Sequence, residues 1–202
     1  MFGRISLYYH TLRYLRPIQF VYKALFSIKF SAYRYWPKLW KWVYGSGDPV
    51  HVRGTHFVPP IEARTLFYSR LDLDKVGQRM NGVLDNEFSY LNVSYRFKDG
   101  VDWQCRTMSH LWLYQLHYFR YGISLAAAWE ATGDRRYAAK FKELVNSWID
   151  NNPIGRRDGW HPYTISLRIV NWCYAYQMLG QFLDEDPEFR QRWIESMNQQ
   201  CR

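Results

Sequence analysis

Past Arg135 the chain carries a clean single helical stripe. Tyr137, Phe141, Leu144, Val145, Trp148 and Ile149 fall at offsets 0, 4, 7, 8, 11 and 12, with Lys140, Lys142 and Glu143 off it. The segment before it, HLWLYQLHYFRYGISLAAAWEAT from His110, is apolar on nearly every face and predicts one helix buried on two sides. Gly133 is placed to end that helix in a left-handed cap and Asp134 to cap the next. So short a link makes the two helices antiparallel neighbours. The following link, NNPIGRRDGWHP at 151–162, is long, polar and rich in Gly and Pro. A third helix is expected from Tyr163 to Leu179, with Ile165, Ile169, Trp172, Cys173, Tyr176 and Leu179 as its stripe. Asp186-Pro187 starts a fourth.

Alternating short and long links between helices are the rhythm of an α/α hairpin array, which needs several hairpins to bury its inner faces. The fold class expected is therefore all-α: an incomplete (α/α) toroid with a basic helical N-terminal arm and a small β-hairpin. WIESMNQQCR shows no helix stop, so the natural chain is expected to continue past Arg202. Three regions follow: 1–60, a basic aromatic helical lead-in; 61–106, a connecting segment; and 107–202, the first part of the toroid. Within the connecting segment, NEFSYLNVSYRFKDGVDW at 86–103 alternates aromatic and β-branched residues, and Asp99-Gly100 is the expected hairpin turn.

Charge separates the lead-in from the rest. Residues 1–60 hold nine Lys or Arg against one acid, Asp48, so eight of the nine net positive charges lie there. Pro17 and Pro37 divide residues 1–44 into two or three short helices, and GSGDP at 45–49 and VPP at 58–60 are breakers. Lys and Arg interleaved with Trp and Tyr suit an anionic membrane surface or nucleic acid. The reading preferred on sequence is an arm wrapping the main domain, with no nucleic acid partner, because so many rings would not be left exposed. No apolar run is long enough to span a bilayer. The N-terminus is not a clean signal peptide, which leans toward the cytoplasm.

Several chemistries lack their residues. There is no GxSxG elbow, GSGDP has neither the Lys nor the helix of a P-loop, and Cys105, Cys173 and Cys201 form no zinc spacing. Three reduced, mostly buried thiols are expected, and no metal or cofactor. Asp150, Asp158, Asp134 and Glu130 flank the two links and read better as caps or solvated charges than as a carboxylate pair.

The long loop is the better candidate, because it delivers Arg156, Arg157, Asp158, Trp160, His161 and Tyr163 to one end of the array. Aromatic faces stack on the C–H face of a pyranose, and Arg or His pairs with its carboxylate or sulfate. Equally, Trp160 can pack under the loop while Pro162 sets up the helix start; for Trp160, His161 and Tyr163 both readings stand. Arg168 and Asn171 would lie in a largely buried helix and need partners, which a polar cleft supplies more easily than a dry core. His117 beside Tyr114 reads as a satisfied core histidine ahead of a catalytic base, and Trp103 as a second stacking ring or a core plug.

Together, LHYF, the TGD turn with Tyr137 after it, the NNP loop and WHPY…SLRIVNW resemble the N-terminal helical domain of the heparinase II/III-like polysaccharide lyases. DGVDW and LRYLRP resemble the lead-in of members near exopolysaccharide gene clusters. The resemblance implies an incomplete toroid followed by a β-sandwich. It also implies β-elimination on acidic polysaccharides such as heparan sulfate or alginate, in proteins often periplasmic or secreted. The family's neutralising Asn, Tyr acid/base and His residues match no position here, so the resemblance implies no catalytic residue and an inactive chain on its own. The alternative is a non-catalytic helical protein that binds acidic exopolysaccharide or serves its biosynthesis.

Overall fold

The computed structural model describes residues 17–36 and 81–201. The chain divides into two compact units, Met1–Gly47 and Asp48–Arg202. In the first, helix α1 spans Pro17–Tyr35, with Pro17 at its first position, where a missing N–H costs nothing. The breakers at Pro37, 45–49 and 58–60 lie outside the described residues.

In the second unit, β1 (Glu87–Tyr90) and β2 (Val93–Arg96) pair antiparallel, with Phe88 opposite Tyr95 and Tyr90 opposite Val93. The hairpin turn is Leu91-Asn92, not Asp99-Gly100. Both turn residues have positive φ, 53° and 61°, the backbone twist a two-residue hairpin loop demands. Gly100 also has positive φ but lies beyond the pairing. Phe88 is buried edge-on against Tyr121 at 5.0 Å, and Tyr90 meets Trp112 the same way at 5.1 Å. The Trp112 indole N–H donates to the Val93 carbonyl at 3.0 Å, so the hairpin is fastened to the helices by rings and one hydrogen bond.

The helix expected to run unbroken from His110 is two. α2 (His110–His117) and α3 (Arg120–Thr132) are separated at Phe119, whose φ of 56° is left-handed. That conformation costs a non-glycine residue about 1–2 kcal/mol. Its ring offsets the cost: Phe119 is fully buried, parallel to Trp103 at 5.4 Å and edge-on to Trp172 at 5.2 Å. Gly133 caps α3 with φ 67°, its N–H on the Trp129 carbonyl, and the Asp134 carboxylate accepts from the Arg136 N–H. α4 (Arg135–Asn151) then folds back on α3. The two helices close tightly at Gly122, where a Cβ would lie 2.9 Å from the Phe141 ring. Phe141, Leu144, Val145 and Trp148 are buried as the stripe predicts. Lys140 is buried too, against expectation, because its ammonium reaches Glu143 and Asn86 at 2.7 and 2.8 Å.

α5 spans Pro162–Met178, and α6 (Gly180–Asp184) leads to α7 (Pro187–Gln200), capped by Asp186 accepting from the Phe189 N–H. The buried face of α5 is Thr164, Arg168, Trp172, Ala175 and Met178, rotated from the expected stripe. Ile165, Ile169, Cys173 and Tyr176 are only half-buried. An arginine inside the helix's core face turns the whole helix. Every tryptophan from Trp103 onward is buried, so the aromatic excess builds the interior; Trp148, Trp172 and Trp193 meet nearly edge-on at 5.6 and 6.0 Å.

Candidate functional site

The 152–161 loop is pinned from beneath. Asn152 is buried, donating to the Trp148 carbonyl at 3.0 Å and accepting from Gln104 at 2.9 Å. Trp160 is 5% exposed; its indole N–H donates to the Asn152 carbonyl at 2.8 Å and its ring leans on Trp148. Gly159 lies flat on the core: a Cβ there would meet His117 Cε1 and Asn152 Oδ1, both at 3.1 Å.

Under Gly159 sits Arg168, fully buried. Its Nη2 donates to the Gly159 carbonyl at 2.9 Å, its Nη1 to the His117 carbonyl at 3.2 Å and its Nε to Gln200 Oε1 at 2.7 Å. The guanidinium lies 4.0 Å over the Trp148 ring. Three residues on, Asn171 donates to the Tyr118 carbonyl at 2.7 Å. The left-handed turn at Phe119 leaves the end of α2 with orphan carbonyls, and α5 supplies the donors. The partners expected of Arg168 and Asn171 are thus backbone carbonyls and a glutamine within the fold, not the lining of an open cleft. Burial pushes Arg168 down to about 9, which leaves it charged at neutral pH.

His117 is fully buried between Trp103 and Trp148. The Trp148 indole can only donate, so Nδ1 of His117 accepts at 3.0 Å and the proton sits on Nε2, donating to the Trp103 carbonyl at 3.0 Å. Burial first, and the Arg168 charge second, push the imidazole down to about 3. Trp103 is buried as well, its N–H on Ser147 at 3.0 Å.

Above this layer is an exposed row. His161 caps α5, its Nδ1 accepting from the Tyr163 N–H at 3.3 Å, and its ring faces Tyr114 at 5.2 Å. Tyr163 is 57% exposed and stands edge-on to Tyr118 at 5.8 Å. Arg156 and Arg157 are exposed. His110, at the start of α2, bonds Asp158 through Nδ1 at 2.8 Å while most of its ring stays in solvent. Burial and the Asp158 charge raise the Tyr114 phenol. Of the sequence candidates, the structure brings His161 and Tyr163 to the surface together; Trp160, Arg168, His117 and Trp103 lie beneath them, and Asn171 is half-buried. His110 and Tyr118 were not anticipated. Their signal was a polar-tipped ring every fourth residue, His110 and Tyr114 in α2 and Tyr118, itself buried, just after it.

A separate groove of about 510 Å³ lies between Arg135, Lys142, Glu185, Asp186 and Phe182, near the opposite end of α4 from the loop. Its charges already pair with each other, Arg135 with Glu185 and Lys142 with Asp186. Among the described residues no three His, Cys, Asp or Glu side chains gather as a metal site.

A model of the heparinase II/III N-terminus matches residues 60–202. The chain belongs to that family. The heparin-sulfate lyase of Pedobacter heparinus is 25% identical over 93 residues, which are 44% of this chain and 14% of that protein. The crystal structure of heparan sulfate lyase HepC from Pedobacter heparinus shares the fold with a TM-score of 0.60 and 22% identity, covering 65% of this chain and 22% of that one. A structure of a heparinase III gene product gives a TM-score of 0.58 at 17% identity, over 69% of this chain and 28% of that one. The heparinase-like chain described here therefore spans 14% of the curated relative's length, and the solved structures speak to its fold.

Proposed function

We propose that this heparinase II/III N-terminal region is part of a polysaccharide lyase that cleaves uronic-acid glycans of the heparan sulfate or alginate kind by β-elimination. Its helices form the first portion of an incomplete (α/α) toroid, and the 152–161 loop is one wall of the glycan cleft. The observation that carries this reading is the exposed row of His161, Tyr163 and His110, with half-buried Tyr114 among them, beside Arg156 and Arg157 and above a buried layer. Rings in such a row stack on pyranose faces, and the cations pair with carboxylate or sulfate. Elimination needs a neutralised carboxylate, a base for the C5 proton and an acid for the leaving oxygen. His117, neutral and with both nitrogens engaged, supports the loop and does not move a proton. On this reading the proton transfers are made by residues other than His117 and the exposed row.

Titration of the 202-residue chain with heparan sulfate and alginate oligosaccharides, followed by calorimetry, tests the wall; absorbance of unsaturated uronate tests the division of labour. Binding without turnover is expected. Absence of binding to either glycan removes the cleft reading, and turnover at the rate of a complete lyase removes the assignment of chemistry elsewhere.

A further inference from the structure

Helix α1 has an unusual surface. Ile18, Val21, Tyr22, Leu25 and Ile28 recur at the three- and four-residue spacing of one helix face, and each is more than half exposed. The stripe is about 15 Å long. Phe20, off the stripe, and Tyr35 and Trp36 at the helix end are exposed as well. An exposed apolar stripe of this size marks an interaction surface.

The charge of the same unit says what kind. Residues 1–47 contain eight Lys or Arg and no Asp or Glu, and this acid-free stretch coincides with the compact unit Met1–Gly47. Lys23, Lys29 and Arg34 fall within α1 itself, with Arg13 and Arg16 before it and Lys38 and Lys41 after. An acidic glycan or a nucleic acid would answer the charge and leave the stripe in water. An apolar protein groove would answer the stripe and have no use for a segment without a single acid. A surface that is anionic outside and apolar beneath answers both. Among the described residues no helix is long and apolar enough to cross a membrane, so α1 can lie in an interface and not span it.

We propose that α1 is an interfacial membrane helix, which seats this chain on an anionic bilayer surface with Ile18, Val21, Tyr22, Leu25 and Ile28 in the acyl boundary. The net positive charge of residues 1–47 suits an anionic headgroup layer. This proposal stands whether or not the 152–161 loop binds glycan.

Co-sedimentation of the full chain with extruded vesicles tests the proposal. Vesicles of phosphatidylcholine are compared with vesicles containing phosphatidylglycerol, using the parent chain and the double variant Leu25→Ala, Ile28→Ala. Alanine keeps helix propensity while removing most of the apolar area, so the variant's helix content, read by circular dichroism, should match the parent's. The parent is expected to pellet with the anionic vesicles and about tenfold less with the neutral ones, and the double variant to bind the anionic vesicles about tenfold more weakly. Three results overturn the proposal: no pelleting with either vesicle, equal pelleting of parent and variant, or retention of the parent by heparan sulfate beads with none by anionic vesicles.

Discussion

Arg168 donates through Nη1 to the backbone carbonyl of His117 at 3.2 Å, while its charge helps keep the His117 imidazole neutral. One residue is thus both anchored by its neighbour's backbone and opposed to its neighbour's protonation. The pair sits directly under Gly159, so loop, helix end and core share one set of contacts.

Acid should act on this pair early. His117 titrates near 3 when folded, against an ordinary 6.5. Between those values the unfolded chain holds one proton more, so stability falls as pH drops through the window, by about 1.4 kcal/mol per unit. Urea denaturation from neutral pH down to about pH 4 should show this slope, and His117→Gln should flatten it. Parallel pH profiles for the two proteins would show that His117 is not the titrating group.

Arg168→Met should destabilise the fold by about 2–4 kcal/mol, since it leaves the carbonyls of His117 and Gly159 and the Gln200 amide without a donor in the interior. Arg168→Lys should not rescue it, because one ammonium cannot reach acceptors arranged for a planar fork. An unchanged urea midpoint in either variant contradicts this account.

Gly159→Ala should cost about 1–3 kcal/mol, because the new methyl meets His117 and Asn152 at 3.1 Å and both are held by other bonds. Gly180→Ala is the control: a Cβ there meets nothing within 4 Å, and it should be neutral or slightly stabilising. Thermal unfolding of the two variants side by side reads the difference.

The exposed row should bind without supporting the fold. Tyr163→Ala and His161→Asn are expected to weaken binding of heparan sulfate oligosaccharides about three- to tenfold each. Stability should stay within about 0.5 kcal/mol, since asparagine keeps the cap of α5 and Tyr163 is mostly in solvent. Calorimetric titration together with a melting curve separates the two effects.

Local signals carried the parts of the fold that local chemistry decides. Gly133 and Asp134 mark the α3–α4 turn because only certain side chains fit a left-handed cap and an N-cap, and Asp186-Pro187 marks α7 for the same reason. Where distant partners decide, the sequence misled. Nothing around Phe119 announces a left-handed residue; the reason lies in Trp103 and Trp172, far along the chain. Leu91-Asn92 makes the hairpin turn because Tyr90 and Val93 pair there, although Asp99-Gly100 has the better turn composition. Arg168 was expected to be buried with its partners in a polar cleft, since no pattern rule reveals that backbone carbonyls of distant segments accept its hydrogen bonds. In the loop, residue type could not separate the rings that hold it, Trp160 foremost, from those that face outward, His161 and Tyr163.

The three acceptors of Arg168 lie 9, 32 and 51 residues away along the chain. The guanidinium cannot be satisfied until the end of α2, the loop and the last turn of α7 have all arrived. The complete set of contacts therefore closes only when all three segments are in place, however early the rest of the core forms. A residue chosen to fill a core also decides which segments must be present to seal it.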